Sequence, residues 1–188
     1  IPTAENHRHK AEMLLFSGSY ELAALEFQRV LELDFRDEAA WGGLIQTARG
    51  RAEIPVTRFI EEMVELHPEP VVLLAAAQHH QLHSDYARSS ELLERILETD
   101  AENVAVLERL CDVLASEGSL ELAAVIEQLL AVDGENARAL FHQATILQYQ
   151  NRFDEAIAVV GRSIVTDPTN MRARNLLAIL YTRTFQYD

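Results

Sequence analysis

An all-α chain made of repeated helix pairs is what the sequence predicts, on three observations. Seven Gly and five Pro in 188 residues, with almost no alternation of Val, Thr and Tyr, leave helices as the regular structure. The stretch from Ala137 to Asn170 reads as a complete two-helix unit with both of its turns marked. Relatives of that unit begin at Ala4, Glu38, Pro70, Val104 and Met171, so the six starts step along the chain by 34, 32, 34, 33 and 34 residues.

Within Ala137–Asn170, Leu140, Ala144 and Leu147 fall on one helical face and define the first helix of the unit. Asn151, a residue that tolerates the left-handed conformation, ends it. Phe153, Ala156, Ile157, Val160 and Ile164 carry the second helix, and Asp167-Pro168 closes it, because proline lacks the donor a continuing helix needs. Repeat one, 4–37, holds Gly18-Ser19-Tyr20-Glu21-Leu22-Ala23-Ala24, which returns one hundred residues later in repeat four, 104–136, as Gly118-Ser119-Leu120-Glu121-Leu122-Ala123-Ala124. Each copy puts Gly where the first helix stops and Ser where the second needs an N-cap. Ser84-Asp85-Tyr86 makes the same turn in repeat three, 70–103. Repeat two, 38–69, departs: it is 32 residues long, and Pro55 at a first helical position predicts a short second helix from about Val56 to Leu66. The last segment, 171–188, predicts a single helix to about Thr184 that buries Leu177, Ala178 and Leu180 and leaves Leu176 and Ile179 partly uncovered.

In phase over nearly the whole chain, these units resemble the tetratricopeptide repeat family. Counting places from the start of each unit, place four is Trp41, Leu73, Leu107 and Leu140, and the small place eight is Ala11, Ala77, Cys111, Ala144 and Ala178, with Ile45 departing. Place seventeen is aromatic at Tyr20, Tyr86, Phe153 and Tyr187, place twenty is Ala23, Ala123 and Ala156, and the terminal proline is Pro168 and, one place early, Pro68. The resemblance implies a right-handed superhelical solenoid of antiparallel helix pairs: five repeats plus a C-terminal capping helix, one array over 1–188.

Composition narrows function. Thirty acidic residues against sixteen basic ones give a net charge of −14, which argues against a nucleic-acid backbone as partner. Lys10 is the one lysine, a skew toward arginine of the kind found in GC-rich bacteria. The lone Cys111 allows no intrachain disulfide and suits a reducing compartment. No apolar run reaches about 18 residues free of charge, so no membrane span is expected. The cytoplasm is the expected location, with the periplasm left open because the chain begins at Ile1 rather than Met.

No phosphate loop, nucleophile elbow or H-E-x-x-H is present, so neither enzymatic activity nor a cofactor is expected. His79 and His83 share a helical face and have the spacing of a chelating pair, but no Cys or His partner completes a structural zinc site. His80 falls at the core-facing place eleven, so the run reads as one packed histidine and two exposed ones, with no metal. Cys111 and Trp41 read as core.

Binding is what the resemblance implies, along a concave wall formed by places two, five, six, nine, twelve and thirteen of each first helix. Repeat one offers a mixed set there: Glu5, Arg8, His9, Glu12, Leu15 and Phe16. Repeats two and three are small or neutral, with Ala39, Gly42, Gly43 and Gln46, then Val71, Leu74, Ala75 and Gln78. Repeats five and six bring Arg138, Phe141, His142, Thr145, Gln148 and Tyr149, then Arg172, Asn175, Leu176, Ile179 and Arg183, with no acid among them. Arginine offers a planar fork to carboxylates and the aromatics add rigid area, so the candidate site is a groove for an extended, acidic peptide. The alternative for these arginines is pairing with Glu or Asp of adjacent helices. The family's carboxylate clamp, which holds chaperone tails, is disfavoured, since Arg8 is followed by Glu12 and no consecutive trio completes the set.

The expected function is a non-enzymatic scaffold for a protein or peptide partner. Two other readings stand beside it: a homotypic assembly module working through the last helix or the convex face, and the recruiting region of a larger enzyme such as a glycosyltransferase.

Overall fold

The computed structural model describes residues 3–48 and 53–187, and these hold eleven α-helices and no strand. They are α1 (Ala4–Phe16), α2 (Tyr20–Leu33), α3 (Glu38–Ala48), α4 (Glu53–Leu66), α5 (Pro70–Leu82), α6 (Tyr86–Leu97), α7 (Val104–Glu117), α8 (Leu122–Val132), α9 (Ala137–Tyr149), α10 (Phe153–Thr166) and α11 (Met171–Tyr187). The odd-numbered helices begin at the six repeat starts, and α2, α6 and α10 begin at the aromatics Tyr20, Tyr86 and Phe153. The helices fall into two compact units that divide between Ile96 and Leu97.

Turn chemistry follows the sequence with one exception. Gly18 and Gly118 both adopt φ of 77°, and Ser84 and Asn151 take the same left-handed region at 61° and 59°. Serine is not the cap expected: Ser19 makes no side-chain bond to the start of α2, and Ser119 accepts from Glu121 N at 3.2 Å while α8 starts only at Leu122. Leu120, the counterpart of Tyr20, is therefore left 97% exposed before the helix instead of opening it.

Two further helices differ from expectation. α4 is fourteen residues long, not a short helix from Val56, and Pro55 is its third residue. A proline fits there because the first four N–H groups of a helix have no intrahelical acceptor. α11 runs on through Tyr187, so that residue does not open a second helix, and its side chain lies outside the described residues. Ala173, Leu176 and Leu180 are the buried face of α11, Leu177 is half-buried, and Ala178 and Ile179 are exposed. A stripe at 173, 176, 177 and 180 has the three-four spacing that seats one helical face on repeat five. Leu176 thus lies inside and Ala178 outside, the reverse of the expectation.

In the first unit, Phe27, Leu31, Leu44, Ile60, Leu92 and Leu93 are among the large side chains that are fully buried. The second unit packs Leu107, Cys111, Ile126, Leu129 and Ala139 in one cluster, and Ala144, Leu147, Ala156, Val160, Ala173, Leu176 and Leu180 in the next. Cys111 is fully buried, and that burial, with the neighbouring Asp112 charge, pushes its thiol up to about 12, so it packs as a small hydrophobe with no thiolate at neutral pH. Trp41 is core as well, its indole N–H donating to Phe35 O at 2.8 Å.

Candidate peptide-binding face

The second unit places its candidate residues through two capped helix starts. Asn136 Oδ1 accepts the N–H groups of Arg138 and Ala139, both at 3.1 Å, while its Nδ2 donates to Glu108 at 2.8 Å. Asn170 Oδ1 does the same at α11 for Arg172 N and Ala173 N, at 3.0 and 3.1 Å. Arg138 and Arg172 are therefore each the second residue of a helix, near the positive end of its dipole, where a cation is disfavoured. A compensating charge is needed.

For Arg138 that charge comes from α7. Its Nη1 donates to Asp112 Oδ2 at 2.6 Å, with Glu108 Oε2 at 3.8 Å from Nε. His142 Nε2 meets the other oxygen, Oδ1, at 2.8 Å. Burial pushes the Asp112 carboxyl up, but the His142 hydrogen bond and the Arg138, His142 and Arg172 charges outweigh it and hold the group below its ordinary range. Pairing with adjacent helices, the alternative reading for the arginines, is thus what the structure shows for Arg138.

Arg172 differs. Its exposed side chain makes no hydrogen bond or close ion pair among the described residues, while its charge is felt at Asp112. Between the two guanidiniums lies an open pocket of about 330 Å³ lined by Asp112, Arg138, Phe141, Asp167, Thr169, Asn170 and Arg172. Asp167 Oδ1 is committed to Thr169, accepting its N–H at 2.9 Å and its hydroxyl at 2.7 Å. Asp112 has both oxygens engaged and Asp167 one, while the guanidiniums, which are donors only, keep unused N–H groups facing the pocket.

The remaining candidates divide by exposure. Tyr149 is 81% exposed and Ile179 47%; Asn175 and Arg183 are exposed too. Phe141 is half-buried with its ring edge-on to His142, and Thr145 spends its hydroxyl on Phe141 O at 2.9 Å. Place six is a packing position in repeats two, three, five and six, where Gly43, Ala75, His142 and Leu176 are buried, whereas His9 of repeat one is exposed there. Sequence reasoning missed Glu108 and Asp112 although they stand at places five and nine of repeat four, where a comparison of the wall across neighbouring repeats finds them.

The first unit holds polar networks of its own. Buried Glu26 receives His7 Nδ1 at 2.6 Å, Lys10 at 2.8 Å and Arg29 at 2.6 Å. Burial raises the Glu26 pKa, but the bonds from Lys10 and His7 and the charges of Arg29 and Lys10 prevail and lower it. Arg8 is tied to Asp37 at 2.8 Å. The histidine run is more buried than expected: His79 and His80 are both inside, and His83 is half-buried. His79 Nε2 meets Thr57 Oγ1 at 2.8 Å, and His80 sits between Glu61 at 2.7 Å and Asp85 at 3.1 Å. Hydrogen-bond partners on α4 and at the start of α6 let two adjacent histidines go inside together. No group of three or more metal-ligating side chains is brought together among the described residues.

Comparison with known proteins locates the fold. No family model matches the sequence, and no curated protein matches it. Solved structures do: TTC0263, a thermophilic TPR protein of Thermus thermophilus, superposes with a TM-score of 0.61 at 16% identity, covering 96% of this chain and 100% of that one. YrrB, described as a TPR protein with an unusual peptide-binding site, gives 0.62 at 18% identity over 93% of this chain and 91% of its own. MamA gives 0.63 at 14% identity over 88% of this chain and 92% of its own. Stacked antiparallel helix pairs with a repeat near 34 residues define an α-solenoid protein. Its fold is the tetratricopeptide-repeat fold.

Proposed function

We propose that the chain is a non-enzymatic protein-interaction scaffold whose α7–α9–α11 face receives an extended peptide segment. The observation that carries this reading is the pocket lined by Arg138 and Arg172, where guanidinium donors remain available beside Asp112, whose two oxygens are already engaged. Such a site takes oxygens: backbone carbonyls, amide carbonyls or a carboxylate. Tyr149, with Asn175 and Arg183, extends the exposed surface along α9 and α11. The repeat register runs through the division at Ile96, which supports reading 1–188 as one array. YrrB, by its description, binds peptide on the same fold.

A 12-residue peptide selected from a random displayed library on the intact chain provides the ligand for a test. Arg172→Glu is expected to weaken its binding about tenfold or more, as loss of a charge-assisted bond and gain of a like charge would. The helical circular dichroism signal stays unchanged, because Arg172 supports no internal bond. Unaltered affinity in fluorescence anisotropy defeats the assignment.

Self-association through α11 is the second reading, favoured by the exposed Ile179 and Tyr181, each 47% accessible. Light scattering that shows a mass rising with concentration, and a constant mass in Ile179→Glu, supports it. A constant mass in the unsubstituted chain rejects it. Among the described residues no helix is long and apolar enough to cross a membrane.

A further inference from the structure

We propose that Asp112 sets the charge preference of this face, holding it near neutrality so that uncharged, carbonyl-rich segments are accepted and strongly acidic ones are not. The inference rests on the peptide-binding reading above and deepens it. Counted by formal charge, the pocket holds Arg138 and Arg172 against Asp112 and Asp167, so it balances, although the wall residues of repeats five and six alone suggest a basic patch. Asp112 is the member of that set that pairs directly with one of the arginines. One of its oxygens takes Arg138, the other takes His142, and the Arg172 charge is felt there as well.

A carboxylate brought in by a ligand must therefore compete with Asp112 for Arg138 and approach a like charge while doing so. A carbonyl oxygen meets neither obstacle in full: it accepts from the unused N–H groups of Arg138 and Arg172 and leaves the Asp112 bonds in place. Repulsion of the unwanted partner is how specificity between two related ligands is commonly built. Asp112 occupies that role from α7, beside the Arg138 that it restrains.

The test uses Asp112→Asn, which removes the charge and keeps an acceptor oxygen for His142. Two fluorescein-labelled probes are compared by anisotropy on the intact chain: a ten-residue peptide of alternating Glu and Ala, and its Gln-for-Glu counterpart. The unsubstituted chain is expected to bind the Gln peptide at least as tightly as the Glu peptide. Asp112→Asn binds the Glu peptide about fivefold tighter than the unsubstituted chain does and the Gln peptide equally, the gain vanishing in about 0.5 M salt or on adding Arg138→Gln. If circular dichroism shows Asp112→Asn unfolded, Asp112→Ser, which also removes the charge and keeps a hydroxyl for His142, serves in its place with the same expected gain for the Glu peptide. Binding of both probes with equal gains, or with none, overturns the role of Asp112 and leaves the peptide face standing. Failure of both probes to bind either protein overturns both.

Discussion

Acidification from pH 6.5 to about 4 is expected to remove about 3 kcal/mol of stability through His79 alone. Burial is the main cause: the ring is 1% exposed, its Nδ1 has no hydrogen-bond partner among the described residues, and the neighbouring His83 and His80 charges lower the pKa further, against an opposing effect of Glu61. Together they bring it from 6.5 down to about 4. The unfolded chain therefore binds a proton that the folded chain refuses throughout that interval. The full stabilisation is present above pH 6.5 and is lost as pH falls toward 4. Glu26 acts in the same direction for the opposite chemical reason, because its carboxylate is held charged in the fold and the advantage disappears as pH drops through its lowered pKa. Urea unfolding at a series of pH values measures the slope. His79→Gln, which offers Thr57 an amide and does not titrate, should flatten it; an unchanged slope in that variant removes His79 from the account.

Two adjacent glycines give the second large effect, with opposite signs. A methyl group added at Gly43 meets the Phe27 ring at 2.2 to 2.7 Å, far inside contact distance, and Phe27 is only 1% exposed and has nowhere to turn. Gly43→Ala is expected to cost about 2 kcal/mol even after its gain in helix propensity. At Gly42 nothing lies within 4 Å, so Gly42→Ala keeps that propensity gain of up to about 1 kcal/mol. Chemical denaturation of the two variants should move their midpoints apart in opposite directions. Phe27→Leu in the Gly43→Ala background should restore part of the loss, since a shorter side chain vacates the space. Equal behaviour of the two glycine variants would contradict the packing described.

Much of this architecture is legible in the sequence because tight turns leave chemical marks. Gly18, Gly118 and Asn151 sit in the left-handed region that a chain reversal requires, and the repeat period then places all six first helices at their observed starts. Errors arise where one residue has more than one solution. Pro55 fits the third residue of a helix as well as the first, because neither N–H has an intrahelical acceptor, so sequence alone makes α4 too short. Gly43 reads as open groove because a missing side chain serves ligand access and close packing alike; only the position of Phe27 decides between them.

The site is less legible than the fold. Arg138 and His142 are correctly placed on a face of α9, yet their chemistry depends on Asp112, thirty residues before His142. Charge in the wall is a property of neighbouring repeats taken together, and reading repeats five and six without repeat four makes a balanced pocket look basic. Burial of both His79 and His80 is hidden for a similar reason: their partners Thr57, Glu61 and Asp85 come from flanking helices and turns.

Mapping the contact surface tests the scaffold reading most directly. Amide chemical-shift changes on titrating the isotope-labelled intact chain with its selected peptide are predicted to cluster at Asp112, Arg138, Phe141, Tyr149 and Arg172. Changes confined to α1–α6, or to α8 and α10, would contradict it.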